Sequence, residues 1–202
     1  VGSGSLDAGS IAAVSAIDTP PIDDTTSQFF DLAVLTLASE VALSDSVQPI
    51  ALPPVEQATT WPSKGTTGQV SSWGYDPRGS LWGIDSTVTV DASETDAADF
   101  NDPETNYWDA TCQQGGIYQD NRDKLLCTSY QGFSTLGAPL AIDVNGESVL
   151  AGVSSTLNPN VHVRVAYFAN WIRSAMGPNG YDPDDTVMVT NRAITWADLP
   201  TN

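Results

Sequence analysis

The stretch Gly132-Phe133-Ser134-Thr135-Leu136-Gly137-Ala138-Pro139-Leu140 decides how this chain is read. It follows Cys127 and runs into the apolar segment Leu140-Ala141-Ile142. Working outward, short apolar or alternating runs are separated by Gly, Pro, Asn and Asp clusters, the pattern of a mostly β chain. The segment Ile11-Ala12-Ala13-Val14-Ser15-Ala16-Ile17 suits a strand that stops at Asp18-Thr19-Pro20-Pro21, where proline removes donors and fixes φ. The near-continuous apolar run 32–37 predicts a buried strand, and Thr87-Val88-Thr89-Val90 alternates with period two. Asn145-Gly146 lies between two apolar runs and predicts a hairpin, because both residues tolerate positive φ.

Several stretches together resemble the trypsin-like serine protease family. Ser134-Thr135-Leu136-Gly137-Ala138-Pro139-Leu140 stands where that family has Gly-Asp-Ser-Gly-Gly-Pro-Leu. Asp31-Leu32-Ala33-Val34-Leu35-Thr36-Leu37 is similar to its Asp-Ile-Ala-Leu-Leu-x-Leu strand, and Val47-Gln48-Pro49-Ile50-Ala51-Leu52-Pro53 to its Val-Gln-Pro-Ile-Cys-Leu-Pro. Val70-Ser71-Ser72-Trp73-Gly74 resembles Val-x-Gly-Trp-Gly. Val149-Leu150-Ala151-Gly152-Val153-Ser154-Ser155 resembles a late core strand, and Val163-Arg164-Val165 with Phe168-Ala169-Asn170-Trp171-Ile172 the last strand and C-terminal helix. The matches fall in family order over residues 1–176. The resemblance implies an all-β fold, a trypsin-like double six-stranded Greek-key β-barrel with a C-terminal helix. It also implies a disulfide between Cys112 and Cys127, and through it an extracellular setting.

The chain opens at Val1-Gly2-Ser3-Gly4-Ser5-Leu6, which resembles the interior of the family's first barrel. On this reading the first barrel is incomplete, and the segment that would hold the catalytic His lies upstream of Val1. The expected organisation is a homology domain over residues 1–176, its N-terminal part missing, and an acidic C-terminal extension over 177–202. No secretory signal is read at the start.

With 202 residues and 41% hydrophobic content, the chain is long and apolar enough to bury a core without metal. Seven Lys and Arg against 25 Asp and Glu give a formal net charge of −18. That excludes a nucleic-acid partner, which needs clustered cations, and disfavours anionic membrane surfaces. No apolar run approaches the ~20 residues that span a bilayer. Two acidic segments stand out, residues 91–109 and Asp182-Pro183-Asp184-Asp185. Neither has the ligand spacing of a calcium loop, so solvated acidic loops are expected and no metal or cofactor is called for. The apolar stripe Tyr167, Phe168, Trp171, Ile172 and Met176 predicts a packing helix over 166–176, stopped by Gly177-Pro178. Beyond it, Thr186-Val187-Met188-Val189-Thr190 suits an added strand.

Serine protease chemistry needs a nucleophile, a base, an orienting acid and an oxyanion hole. The resemblance puts Leu136 at the nucleophile position, and a leucine has no atom that can attack a carbonyl. It puts Asp31 at the acid position. It puts Thr135 where the family's Asp pairs with the new N-terminus on activation. The loop Thr156-Leu157-Asn158-Pro159-Asn160 is shorter than the family's and lacks its bridging Cys. His162, the chain's one histidine, falls on a strand behind the specificity pocket, the wrong face for a general base, and is expected to be packed or partly exposed. Ser134, Ser154 and Ser155 have no base that the sequence identifies. The degenerate positions Asp31, Thr135 and Leu136 thus predict an inactive serine protease homologue.

The expected function is extracellular protein–protein binding, as a cascade cofactor or a decoy inhibitor of a secreted hydrolase. Trp82, Tyr107, Trp108 and Trp196 are the candidate contact residues, since Trp and Tyr are enriched at interface hot spots. The expected partner is a protein, in one form a processed N-terminal chain carrying the missing barrel strands. A structural component of an extracellular assembly and a hydrolase completed by another chain are the alternatives.

Overall fold

The computed structural model describes residues 9–21, 31–53, 61–75, 81–92, 123–129, 136–155 and 160–177. They form eight strands followed by one helix. In chain order these are β1 Val14–Asp18, β2 Val34–Leu37, β3 Thr67–Tyr75, β4 Leu81–Ala92, β5 Leu125–Thr128, β6 Pro139–Val144, β7 Glu147–Ser154, β8 Val161–Arg164 and α1 Val165–Met176.

β3 to β8 close into a six-stranded antiparallel barrel in the order β3-β4-β5-β8-β7-β6. Its hairpins follow from local chemistry. Asn145 and Gly146 take φ of 57° and 88° between β6 and β7, and the Gly146 N–H donates to Asp143 Oδ1 at 3.0 Å. That is the turn an Asn-Gly pair makes most readily, and it sets the register from Val144↔Glu147 onward. The apolar alternation of these strands then points one side chain in two into the barrel. Val70, Val88, Val90, Leu126, Leu140, Ile142, Val144 and Val149 fill it, with Trp61 and Ala166. Arg164 is fully buried. Its Nη1 donates to the Trp61 carbonyl at 2.9 Å and its Nη2 to the Leu125 carbonyl at 3.2 Å, so the cation ties the lead-in to β3 onto β5 and β8.

Helix α1 buries Val165, Ala166, Phe168, Ala169 and Ile172, a stripe at three- and four-residue spacing. Phe168 and Ile172 join Leu125, Cys127, Val161 and Val163 in a second apolar cluster outside the barrel. Gly177 ends the helix at φ 67°. Arg173, in the last turn, donates from Nη2 to the Pro53 carbonyl at 2.6 Å.

β1 and β2 form a separate two-stranded antiparallel sheet. Leu32, Val34 and Leu52 lean on the α1 cluster, and Ala51 bridges to Val149 of β7. The run 32–37 differs from its reading as a buried strand. The strand begins at Val34, which is half-buried, and Leu35, Thr36 and Leu37 are exposed. Among the described residues no layer packs on that side, so the apolar pattern of a covered strand stands uncovered. Likewise β1 starts three residues later than the apolar run at Ile11, and all five of its residues are exposed.

Barrel closure rests on a short pairing, Gln69↔Ala141 and Val70↔Leu140. Beside it a Cβ on Gly68 would meet the Ala141 carbonyl oxygen at 2.8 Å and Leu140 Cδ1 at 2.9 Å. Backbone cannot yield there without opening the β3–β6 seam. Gly68→Ala is expected to destabilise the protein by about 1–3 kcal/mol, the range for overpacking a filled site. Urea unfolding of the two proteins, compared by midpoint at equal slope, checks it.

Candidate functional site

The C-terminal end of β7 gathers the positions that the sequence singled out. The Gly137 N–H donates to the Ser154 carbonyl at 3.0 Å, and the Ser154 N–H returns a bond to the Ala138 carbonyl at 2.8 Å. These two bonds pin the turn before β6 to the end of β7. Gly137 takes φ of 81°, a left-handed conformation that suits glycine and turns the chain between Leu136 and β6. Leu136, just before it, is 65% exposed. A side chain presented to solvent by a turn is poorly placed for core packing and well placed to meet another molecule.

The residue just after β7 holds the second position. Ser155 Oγ donates to Asp31 Oδ2 at 3.1 Å, across 124 residues of sequence, and the Ser155 N–H donates to the Val161 carbonyl at 3.0 Å. The half-buried Asp31 carboxylate thus accepts from a side-chain hydroxyl. Leu136 and Asp31 thus belong to segments fastened to adjacent residues, Ser154 and Ser155. Thr135 lies outside the described residues. So do Tyr107, Trp108, Trp196 and Cys112, as well as the segment 186–190 and both acidic segments except Asp91 at the end of β4. Trp82 sits in β4 opposite Gly74, and Cys127 is buried in β5.

The same strand end contains an arrangement that sequence reasoning missed. His162 is fully buried, with Ser154 Oγ 3.1 Å from Nδ1 and Thr128 Oγ1 3.1 Å from Nε2. Thr128 Oγ1 also donates to the Asn160 carbonyl at 3.4 Å. A hydroxyl that donates there accepts from the ring, which puts the imidazole proton on Nε2. Nδ1 then accepts from Ser154 Oγ. A serine donating to a histidine has the outline of an activated nucleophile. This pair lacks the rest of the chemistry: Ser154 and Thr128 are as buried as the ring, so no substrate reaches the oxygen. Desolvation lowers the His162 pKa to about 4, which makes the ring a poor base. The signal for the contact was the β7–β8 register, Ser154↔His162, which a strand pattern read singly does not reveal.

Among the described residues no three His, Cys, Asp or Glu side chains gather to hold a metal ion, and no helix is long and apolar enough to cross a membrane.

Comparison with known proteins fits this geometry. The family model described as Trypsin matches residues 7–172. The chain belongs to the trypsin family. This trypsin-family chain is 29% identical over 177 residues to "Tryptase" of Mus musculus, covering 80% of the chain and 61% of that protein. It is 26% identical over 180 residues to "Trypsin 5G1" of Aedes aegypti, covering 84% of the chain and 61% of that protein. It therefore spans about three-fifths of the length of these relatives. A solved structure described as GrC superposes with a TM-score of 0.64 at 20% identity, over 87% of this chain and 75% of that one, a likeness of fold.

The buried histidine gives this family member an acid-sensitive core. Its pKa falls from 6.5 unfolded to about 4 folded, so the unfolded chain binds more protons between those values. Stability from this group is complete above about pH 6.5 and is lost progressively as pH falls toward 4. The slope in that window is about 1.4 kcal/mol per pH unit from His162 alone. Urea unfolding at stepped pH is expected to show it, and His162→Gln is expected to flatten it.

Proposed function

We propose that this trypsin-family chain is a non-catalytic homologue that works by binding another protein outside the cell. The observation that carries the reading is Leu136. At the nucleophile position of the family pattern the chain presents an exposed aliphatic side chain, and hydrolysis by acyl transfer has no atom to begin from. The nearby Ser154 does not replace it, because it is sealed beside a weakly basic ring. Two further departures support the same reading: Thr135 in place of the activation carboxylate and the short loop 156–160 in place of a longer pocket wall. An extracellular setting is supported by Cys127, which is not a free thiol; its partner on this reading is Cys112, the chain's only other cysteine. Binding as a cascade cofactor or as a decoy inhibitor of a secreted hydrolase both fit such a protein.

One observation favours a second reading. Asp31 keeps a hydroxyl partner in Ser155, so the acid position is still organised. A hydrolase completed by a base and a nucleophile from another chain would use it.

Turnover separates the two. Purified chain, assayed against mixed peptide and ester substrates, is expected to show no hydrolysis above background. Leu136→Ser is expected to remain inactive as well, since a hydroxyl alone restores neither the base nor the pocket. Robust cleavage by the unmodified chain contradicts the binding reading. Robust cleavage by Leu136→Ser alone contradicts the account of Thr135 and the short loop.

A further inference from the structure

The turn between β6 and β7 sets a side-chain amide next to a main-chain nitrogen that can attack it through a five-membered ring. Asn145 and Gly146 are both exposed, with φ of 57° and 88°. A side chain on the residue after an asparagine crowds that nitrogen, and glycine has none. A Cβ built on Gly146 would meet nothing within 4 Å, so neighbouring segments leave the approach open as well. Water, the second reactant, reaches both residues. The other described asparagines lack this combination. Asn160 is buried and followed by Val161, and Asn170 is followed by Trp171 inside α1. The chain's other Asn-Gly pair, Asn179-Gly180, lies outside the described residues.

Asp143 acts on the attacking nitrogen. Its exposed carboxylate accepts the Gly146 N–H at Oδ1, at 3.0 Å. Attack requires that nitrogen to give up its proton and carry negative charge. An amide anion is a far stronger base than a carboxylate, so the proton does not pass along this bond. Asp143 acts instead through its charge, since a like charge disfavours a nascent anion. Glu147, paired with Val144, adds a second carboxylate to the same end of the hairpin.

We propose that Asn145 is a spontaneous deamidation site whose rate in the folded chain is held down by the Asp143 carboxylate. In the first step a bond forms between Gly146 N and Asn145 Cγ, and the Cγ–Nδ2 bond breaks. The Gly146 proton leaves with the amide nitrogen as ammonia, and a cyclic imide remains. Water then opens the imide. Cleavage at Cγ gives an aspartyl residue, and cleavage at the main-chain carbonyl gives an isoaspartyl one. The two products differ in their effect on the barrel. An aspartyl residue tolerates left-handed φ and keeps the two-residue turn. An isoaspartyl link adds a methylene to the main chain, which the Val144↔Glu147 register does not absorb. The inference is independent of whether the chain hydrolyses peptides.

The test incubates the full native chain at mildly alkaline pH, followed by peptide mapping that separates position 145 from position 179. Conversion of Asn145 to both aspartyl and isoaspartyl peptides is expected. Asp143→Asn keeps an oxygen acceptor for the Gly146 N–H and removes the charge. It is expected to speed conversion at Asn145 about three- to tenfold, the size of one unit charge at contact distance through water, and to leave Asn179 unchanged. In the unaltered chain the rate at Asn145 is expected to rise with salt, which screens that charge, and to rise less in Asp143→Asn. The salt series on the unaltered chain stands even where the variant fails to fold. Chain enriched in the isoaspartyl form is expected to unfold at lower urea, whereas Asn145→Asp retains its midpoint. Absence of conversion at Asn145 overturns the proposal, whether or not Asn179 converts. So do equal rates at Asn145 with and without the Asp143 charge, equal acceleration at both sites, or a rate in the unaltered chain that ignores salt.

Discussion

Two consecutive residues at the end of β7 hold this molecule in register. Ser154 exchanges backbone bonds with the turn 137–138 and places its hydroxyl on His162 of β8. Ser155 bonds Val161 through its amide and Asp31 through its hydroxyl. The first residue thus fastens the approach to β6, and the second fastens the β1–β2 lobe. The lobe has other ties, through Ala51 to β7 and through Pro53 to Arg173 of α1. The Ser155–Asp31 bond joins it to the strand end beside the place where the family pattern puts the nucleophile. A hydroxyl donating to an ionised carboxylate is worth about 1.5–3 kcal/mol, enough to hold a local geometry but not a lobe by itself.

This arrangement separates scaffold from chemistry. Trypsin-family membership explains the closed barrel and the terminal helix. The same scaffold presents Leu136 to solvent and buries the one histidine, with its proton affinity lowered by desolvation. An exposed leucine costs a folded protein little, and in a binding protein it is contact surface. A neutral histidine between two hydroxyls is a packing solution: each ring nitrogen finds a partner, so a polar ring can occupy a barrel wall beside Gly152, whose missing Cβ leaves room for the His162 Cβ.

The barrel was largely legible in the chain. Asn145-Gly146 announced the β6–β7 hairpin, and the stripe ending at Met176 announced α1 to within a residue. Those signals are local: turn chemistry and helical period are written over a few positions. The exposure of β2 was not legible, because the apolar pattern of residues 32–37 is the same whether or not a second layer covers it. The Ser154–His162–Thr128 chain was missed for a different reason. It depends on which residues face one another across three strands, and a pattern read one strand at a time does not contain that register. Asp31 and Leu136 were singled out by resemblance, and their segments are tied to the adjacent residues Ser155 and Ser154. The aromatic contact candidates lie outside the described residues, apart from the backbone of Trp82.

The central claim is that the position matching the family nucleophile has no nucleophile and that no buried hydroxyl substitutes for it. A fluorophosphonate probe reacts with any activated serine whether or not its natural substrate is known, and intact-mass spectrometry reads the result directly. The account predicts an unshifted mass after prolonged exposure of the native chain. A stoichiometric adduct, mapped to any serine and abolished by unfolding, would contradict it.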